Sequence, residues 1–175
     1  MAGTLASGAH TVRIEWTGSK SSGATDTNIN VDALDIVGTL SQAPAVQAVR
    51  YEQNDTHFAY VGMWTASSSS SASGGSFRFA DSAGSAVTVT FTGSYLAWIA
   101  KKSPVYGKAK VTVDGGTPMI VDLYSPSTLW KQKVWEKTLG PGAHTLRIEW
   151  TGTKSTSATE TNIGVDAFDL IGVLQ

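Results

Sequence analysis

Apolar and polar residues alternate with period two along most of the chain. In 144–150, His144, Leu146, Ile148 and Trp150 fall on one face, and Thr145, Arg147 and Glu149 on the other. In 85–93, Val87, Val89 and Phe91 oppose Thr88, Thr90 and Thr92. Residues 108–114 place Ala109, Val111 and Val113 together, and 119–124 place Met119, Val121 and Leu123 opposite Ile120, Asp122 and Tyr124. This period puts neighbouring side chains on opposite sides of a strand. Further strands are expected over 49–53, 58–64, 76–80, 95–100, 129–137 and 165–173, with no helix longer than a turn or two. Asp114-Gly115-Gly116 and the 139–142 stretch Leu-Gly-Pro-Gly read as hairpin turns. The Ser/Gly run from Ser67 reads as a flexible loop, too polar to pack. About ten short strands at this spacing predict an all-β antiparallel β-sandwich of jelly-roll type.

The chain contains one of its own segments twice. Residues 8–38 and 142–172 align at a constant offset of 134 residues, with roughly two thirds of the paired positions identical. The register makes 1–40 the C-terminal fragment of a preceding repeat (two strands), 41–48 a linker, and 49–175 one complete β-sandwich module. It implies a longer tandem-repeat parent. The fragment is expected to lean on neighbouring repeats, or to enter the slot of 142–174 so that chains join in a strand-exchanged homo-oligomer.

A net charge of −1 with 15% charged residues offers no basic stripe, which argues against nucleic acid as a partner. No apolar run is long enough for membrane insertion as a helix. Cysteine is absent, which excludes disulfides and thiol chemistry, and six tryptophans with abundant Gly, Ser and Thr suit a secreted or cell-surface module. No Gly-x-Ser-x-Gly elbow, phosphate loop or His-Glu-x-x-His stretch is present. His10 and His144 sit at equivalent strand starts and read as structural hydrogen-bonding residues. The expected reading is not an enzyme.

Sugar binding needs aromatic faces to stack on a pyranose and a few polar groups to fix hydroxyls. Trp16, Trp98 and Trp150 lie on apolar strand faces and are assigned to the core. Tyr106 in the Lys-Lys-Ser-Pro-Val-Tyr-Gly loop, Tyr124 on an outer face and Trp130 beside Lys131 form the preferred patch, with Lys102 and Asp122 as polar partners. Trp64 divides evenly between core and site. Asp166 and Asp169 stand three apart on the final strand, hence on opposite faces. A buried carboxylate there needs Arg or backbone amides, or a structural calcium shared with Glu52.

Three stretches carry a resemblance that spans nearly all of 49–174: YEQNDTHFAYVGMW from Tyr51, YLAWIAKKSPVYGKAKVTVDGG from Tyr95 with VDLYSPST from Val121, and GAHTLRIEWTG from Gly142 with VDAFDL. The unit resembles bacterial extracellular β-sandwich modules similar to the galactose-binding-like jelly rolls, among them many carbohydrate-binding modules. The resemblance implies a glycan or polysaccharide partner and a place beside catalytic or adhesive domains. In calcium-containing relatives, acidic residues of the first and last strands flank the ion, and Glu52 and Asp169 are the nearest matches. The expected function is therefore a non-catalytic carbohydrate-binding or adhesive module. The alternatives are a structural spacer or fibre-forming repeat and an accessory domain of a glycan-active enzyme.

Overall fold

The computed structural model describes residues 6, 8, 10, 12–38 and 46–175. The chain divides into two units, Met1–Pro44 and Ala45–Gln175. The second unit holds ten strands: β1 (Val49–Glu52), β2 (Phe58–Val61), β3 (Thr65–Ser68), β4 (Ser76–Ala80), β5 (Ala86–Lys102), β6 (Lys108–Val113), β7 (Met119–Asp122), β8 (Leu129–Trp150), β9 (Ile163–Val165) and β10 (Ala167–Leu174). They pair antiparallel in two sheets. The larger runs β1-β10-β5-β8-β6-β7, with β2 also on β5, and the smaller runs β3-β4-β9. None of the described residues forms a helix able to cross a membrane.

The alternation sets what each strand buries. Val87, Val89, Phe91, Leu146 and Ile148 have at most 1% of their surface exposed. β10 lies between β1 and β5, as its two apolar faces require. Two expected boundaries fall differently. The stretches 85–93 and 95–100 are one strand, β5, and 129–137 and 144–150 are one strand, β8, so the 139–142 segment continues the ladder instead of turning.

Glycine explains the continuity. Gly93 pairs with Gly142 on one side and Gly172 on the other. The register shifts beside Gly93 on both. A Cβ on Gly93 would lie 2.2 Å from the Ile171 carbonyl oxygen, and one on Gly172 would lie 2.2 Å from that of Thr92. The backbones approach too closely for any side chain, and the long strands shift register there without leaving the larger sheet.

The expected Ser/Gly loop is ordered. Thr65–Ser68 is a strand and Ser73–Gly75 a 3-10 turn in which Ala72 and Ser73 are buried. Its polarity did not keep it out of the interior, because Ser73 serves two carboxylates described below.

The first unit shows no strand among its described residues, which corrects the expectation of two, since a strand needs a ladder partner. Its local structure nevertheless copies that of 140–172. Trp16 Nε1–H donates to the Thr27 carbonyl at 2.7 Å, as Trp150 does to Thr161 at 2.9 Å. Lys20 reaches the Thr25 carbonyl as Lys154 reaches Thr159. Trp16 is 63% exposed, so it is no core residue here, whereas Trp150 packs half-buried against the core.

Candidate functional site

Two of the rings proposed from the sequence, Tyr106 and Trp130, meet Phe77 around one lysine. Lys101, next to last in β5, carries its ammonium over Phe77 at 4.7 Å, Tyr106 at 4.8 Å and Trp130 at 4.9 Å. Each ring face attracts the cation. Burial lowers the Lys101 pKa, while the rings supply the compensating attraction. Trp130 also meets Phe77 edge-on, with centroids 5.3 Å apart.

A β-bulge presents Trp130. Ala100 pairs with Gln132 and Lys102 with Leu129, so Lys101 alone faces Trp130 and Lys131. Lys131 takes the left-handed conformation, φ 54°, which is costly for a residue with a side chain. Gln132 Nε2–H holds the Trp130 carbonyl at 2.7 Å. The result is a half-buried indole under Lys101 and beside the exposed Lys131, while Lys102, half-buried, pairs with Leu129.

Tyr106 is a correction. It belongs to the core, with 1% of its surface exposed, and offers no face to a ligand. Its loop, 103–107, is clamped from both sides. Ser103 N–H donates to the Leu123 carbonyl, Gly107 N–H to that of Asn162, and Asn162 N–H to that of Val105. Lysines and a proline make the loop look exposed, yet these backbone bonds draw the ring inward against Gly164.

Tyr124 stays half-buried at the edge of the same loop, bridging Ser103. Asp122 fixes it by accepting the Tyr124 N–H at 2.9 Å, and its other oxygen accepts from Ser155 Oγ. Asp122 is thus a positioning residue as well as a surface acceptor. Trp64 stands apart from this group. It packs edge-on against Tyr60 at 5.0 Å, and its N–H donates to the Val61 and Ala86 carbonyls. Its partners are structural.

Two recesses of about 390 Å³ lie outside the ring cluster. One is polar and lined by Asp81, Lys154, Glu160 and Asn162. The other is more apolar and lined by Val111, Val113, Met119 and Trp135, with Glu136 and Lys137 at its rim.

The carboxylates resolve differently from the expected metal pair. Asp169 forms a two-pronged ion pair with Arg50 at 2.6 and 2.7 Å, so its oxygens are taken and it is no metal ligand. Antiparallel pairing sets Arg50 directly opposite Asp169. Asp166 is fully buried, and it is this carboxylate that meets Glu52. Ser73 links them: its N–H donates to Asp166 at 2.9 Å and its Oγ–H to Glu52 at 2.8 Å. Burial, reinforced by the Glu52 charge, pushes Asp166 up to about 6.

Glu52 Oε2, Asp166 Oδ2 and Gln53 Oε1 are buried without a hydrogen-bond partner. Gly74 leaves the Glu52 carboxylate room, since a Cβ there would sit 2.8 Å from it. Hard, unpartnered oxygens are what calcium accepts, and these residues fit such an ion with backbone oxygens or water completing the shell. Among the described residues no group of three or more His, Cys, Asp or Glu is placed to hold a metal ion, so Glu52 and Asp166 would supply the only charged side-chain ligands here.

No family model matches the chain. It is 28% identical over 148 residues to an A type blood alpha-D-galactosamine galactosaminidase from Flavonifractor plautii, a match covering 82% of this chain and 13% of that protein. The chain thus spans about an eighth of the curated relative. Among solved structures, a Paenibacillus xanthan lyase aligns with a TM-score of 0.53 at 17% identity, over 78% of this chain and 14% of its own. A two-domain esterase active on acetylated mannans aligns with a TM-score of 0.53 at 18% identity, over 82% of this chain and 43% of its own. These likenesses bear on the fold, which is the all-β antiparallel sandwich expected from the sequence.

Proposed function

We propose that residues 46–175 form a non-catalytic glycan-binding module of a larger, exported bacterial carbohydrate-processing protein. The observation that carries this reading is the match to the galactosaminidase, in which most of this chain corresponds to a small fraction of an enzyme that works on glycans. A piece of that proportion suits an accessory module better than a catalytic domain. The ring cluster supplies the chemistry. The half-buried Trp130 offers an apolar face, Lys102 and Lys131 offer donors to hydroxyls or acidic groups, and Tyr124 with Asp122 closes the patch. A structural calcium at Glu52 and Asp166 would hold β1, the 3-10 turn and the entry to β10 together.

The test is titration of the whole chain, in calcium, with galactosamine-terminated glycans and β-galactans. Trp130→Ala is expected to weaken binding up to about tenfold, the scale of one lost aromatic stacking contact. Met119→Arg, which fills the apolar recess, is expected to leave binding unchanged. The reverse result would move the site to the recess, and absence of binding to any glycan by the wild type would refute the function.

A further inference from the structure

The described residues of the first unit expose apolar positions that the equivalent closing segment of the module buries. Ile14, Val31 and Ile36 are 53, 56 and 50% exposed, whereas their counterparts Ile148, Val165 and Leu170 are at most 1% exposed. The hydrogen bonds of Trp16 and Lys20 repeat, within residues 16–27, two that the counterpart makes inside the module. Near-identity with 142–172 suggests this module's own slot, and two positions speak against it.

The first is Asn30, which stands where the closing segment has Gly164. A Cβ on Gly164 would lie 2.8 Å from the Tyr106 ring, 3.0 Å from its hydroxyl and 3.3 Å from the Arg78 carbonyl oxygen. Tyr106 has little freedom to withdraw, since it is buried, its loop is clamped and Lys101 sits over its ring. Nor can the backbone retreat without cost, because Trp98 Nε1–H donates to the Gly164 carbonyl. The second is Leu34 in place of Phe168, whose ring packs edge-on against Phe58 at 5.0 Å. A leucine there leaves space unfilled. One position overfills the slot and the other underfills it.

We infer that residues 8–38 close a second β-sandwich body of this fold, with a small residue where this module has Tyr106. Asn30 bars the segment from the slot filled here by 142–172. The partner is thus a related module and not a second copy of this chain. Strand exchange between near-identical segments is prevented by one side chain, a device against mispairing. This inference is independent of glycan binding.

The absence of cysteine makes the test direct. Thr112 pairs with Arg147, whose counterpart is Arg13. Cross-strand partners in an antiparallel ladder lie close enough for a disulfide. The full chain carrying Arg13→Cys with Thr112→Cys is oxidised, and linkage within and between chains is counted above a mis-registered control, Arg13→Cys with Thr90→Cys. With Asn30 and Gly164 in place, no excess linkage is expected. With Asn30→Gly and Gly164→Asn together, the blocking side chain moves to the other segment and linkage is expected to appear. Linkage in the first chain, or none in a folded second chain, overturns the inference. Should the exchanged chain fail to fold, Gly164→Ala alone decides. A fall in Tm of more than about 5 °C supports the block, and a smaller change overturns it.

Discussion

Asp166→Asn gives the sharpest test of the buried carboxylates. In the folded chain Asp166 titrates at about 6 because burial and the Glu52 charge oppose its ionisation. In the unfolded chain it returns to the ordinary value of about 3.9. Between these values the native state binds more protons than the unfolded state, so the Asp166 contribution makes stability fall as pH rises from about 4 to 6. Two pKa units correspond to about 3 kcal/mol, an upper value, lost above pH 6 when no cation is bound. Asn keeps an acceptor for the Ser73 N–H and carries no charge. In chelator, Asp166→Asn should therefore match wild type near pH 4 and exceed it near pH 7 by up to about 3 kcal/mol, on the order of 10 °C in Tm for a domain of this size. Calcium should close most or all of that gap. At a hundredfold excess over Kd it adds about 2.7 kcal/mol to the wild type, and little to the variant, which has lost a ligand charge. The assay is denaturant unfolding of both proteins at pH 4, 5.5 and 7, in chelator and in calcium. Taking the difference between the proteins cancels the titrating groups that are not coupled to Asp166. A pH-independent difference in chelator would refute the buried, ionised Asp166. A wild type indifferent to calcium at pH 7 would refute the cradle.

Two further predictions concern neighbouring cations. Lys101→Met keeps the stem and removes the charge that three rings share, so it should cost about 1–2 kcal/mol in chemical unfolding and red-shift the Trp130 fluorescence; a gain in stability would mean that burying the ammonium outweighs the rings. His144 has its pKa raised by its bond to Asp114 and its contact with the Gly140 carbonyl. The stabilisation it supplies is complete below the unfolded pKa and is lost as pH rises through the folded one. His144→Gln should therefore destabilise the chain more at pH 5.5 than at pH 8.5, and equal losses at both would refute the pairing.

The sandwich was legible because the period-two pattern needs only strand geometry to be read. What escaped depended on contacts between distant strands. Gly93, Gly140 and Gly142 look like breaks in a one-dimensional pattern, but the pairing that places Gly93 beside Gly142 and Gly172 makes them a register shift in continuous strands. Tyr106 looks exposed among lysines until backbone bonds from 123 and 162 enclose its loop. Alternation correctly sends Asp166 and Asp169 to opposite sides. Which one is inside follows only from pairing with β1, where Arg50 faces Asp169. Lys101 escaped because neither Phe77 nor the bulge at Lys131 is near it in sequence. Paired lysines followed by a ring-bearing loop were the available signal.

The separate features at this corner share residues, and that sharing constrains how the site works. Tyr106 lies under Lys101, against Gly164 and within the field of Asp166, and its pKa is raised by burial and, secondarily, by the Asp166 charge. Lys131, one residue beyond the Trp130 ring, helps to stabilise the ionised form of Asp166. A cation bound by Glu52 and Asp166 would oppose that attraction and favour Lys131 turning outward, alongside the indole and Lys102. The residues proposed to bind a glycan are therefore not a loose surface patch. Their positions are set by a buried ring, a bulge and a carboxylate pair. The half-buried indole of Trp130 is held in this way without a deep cavity, and neither recess in this structure is lined by Trp130.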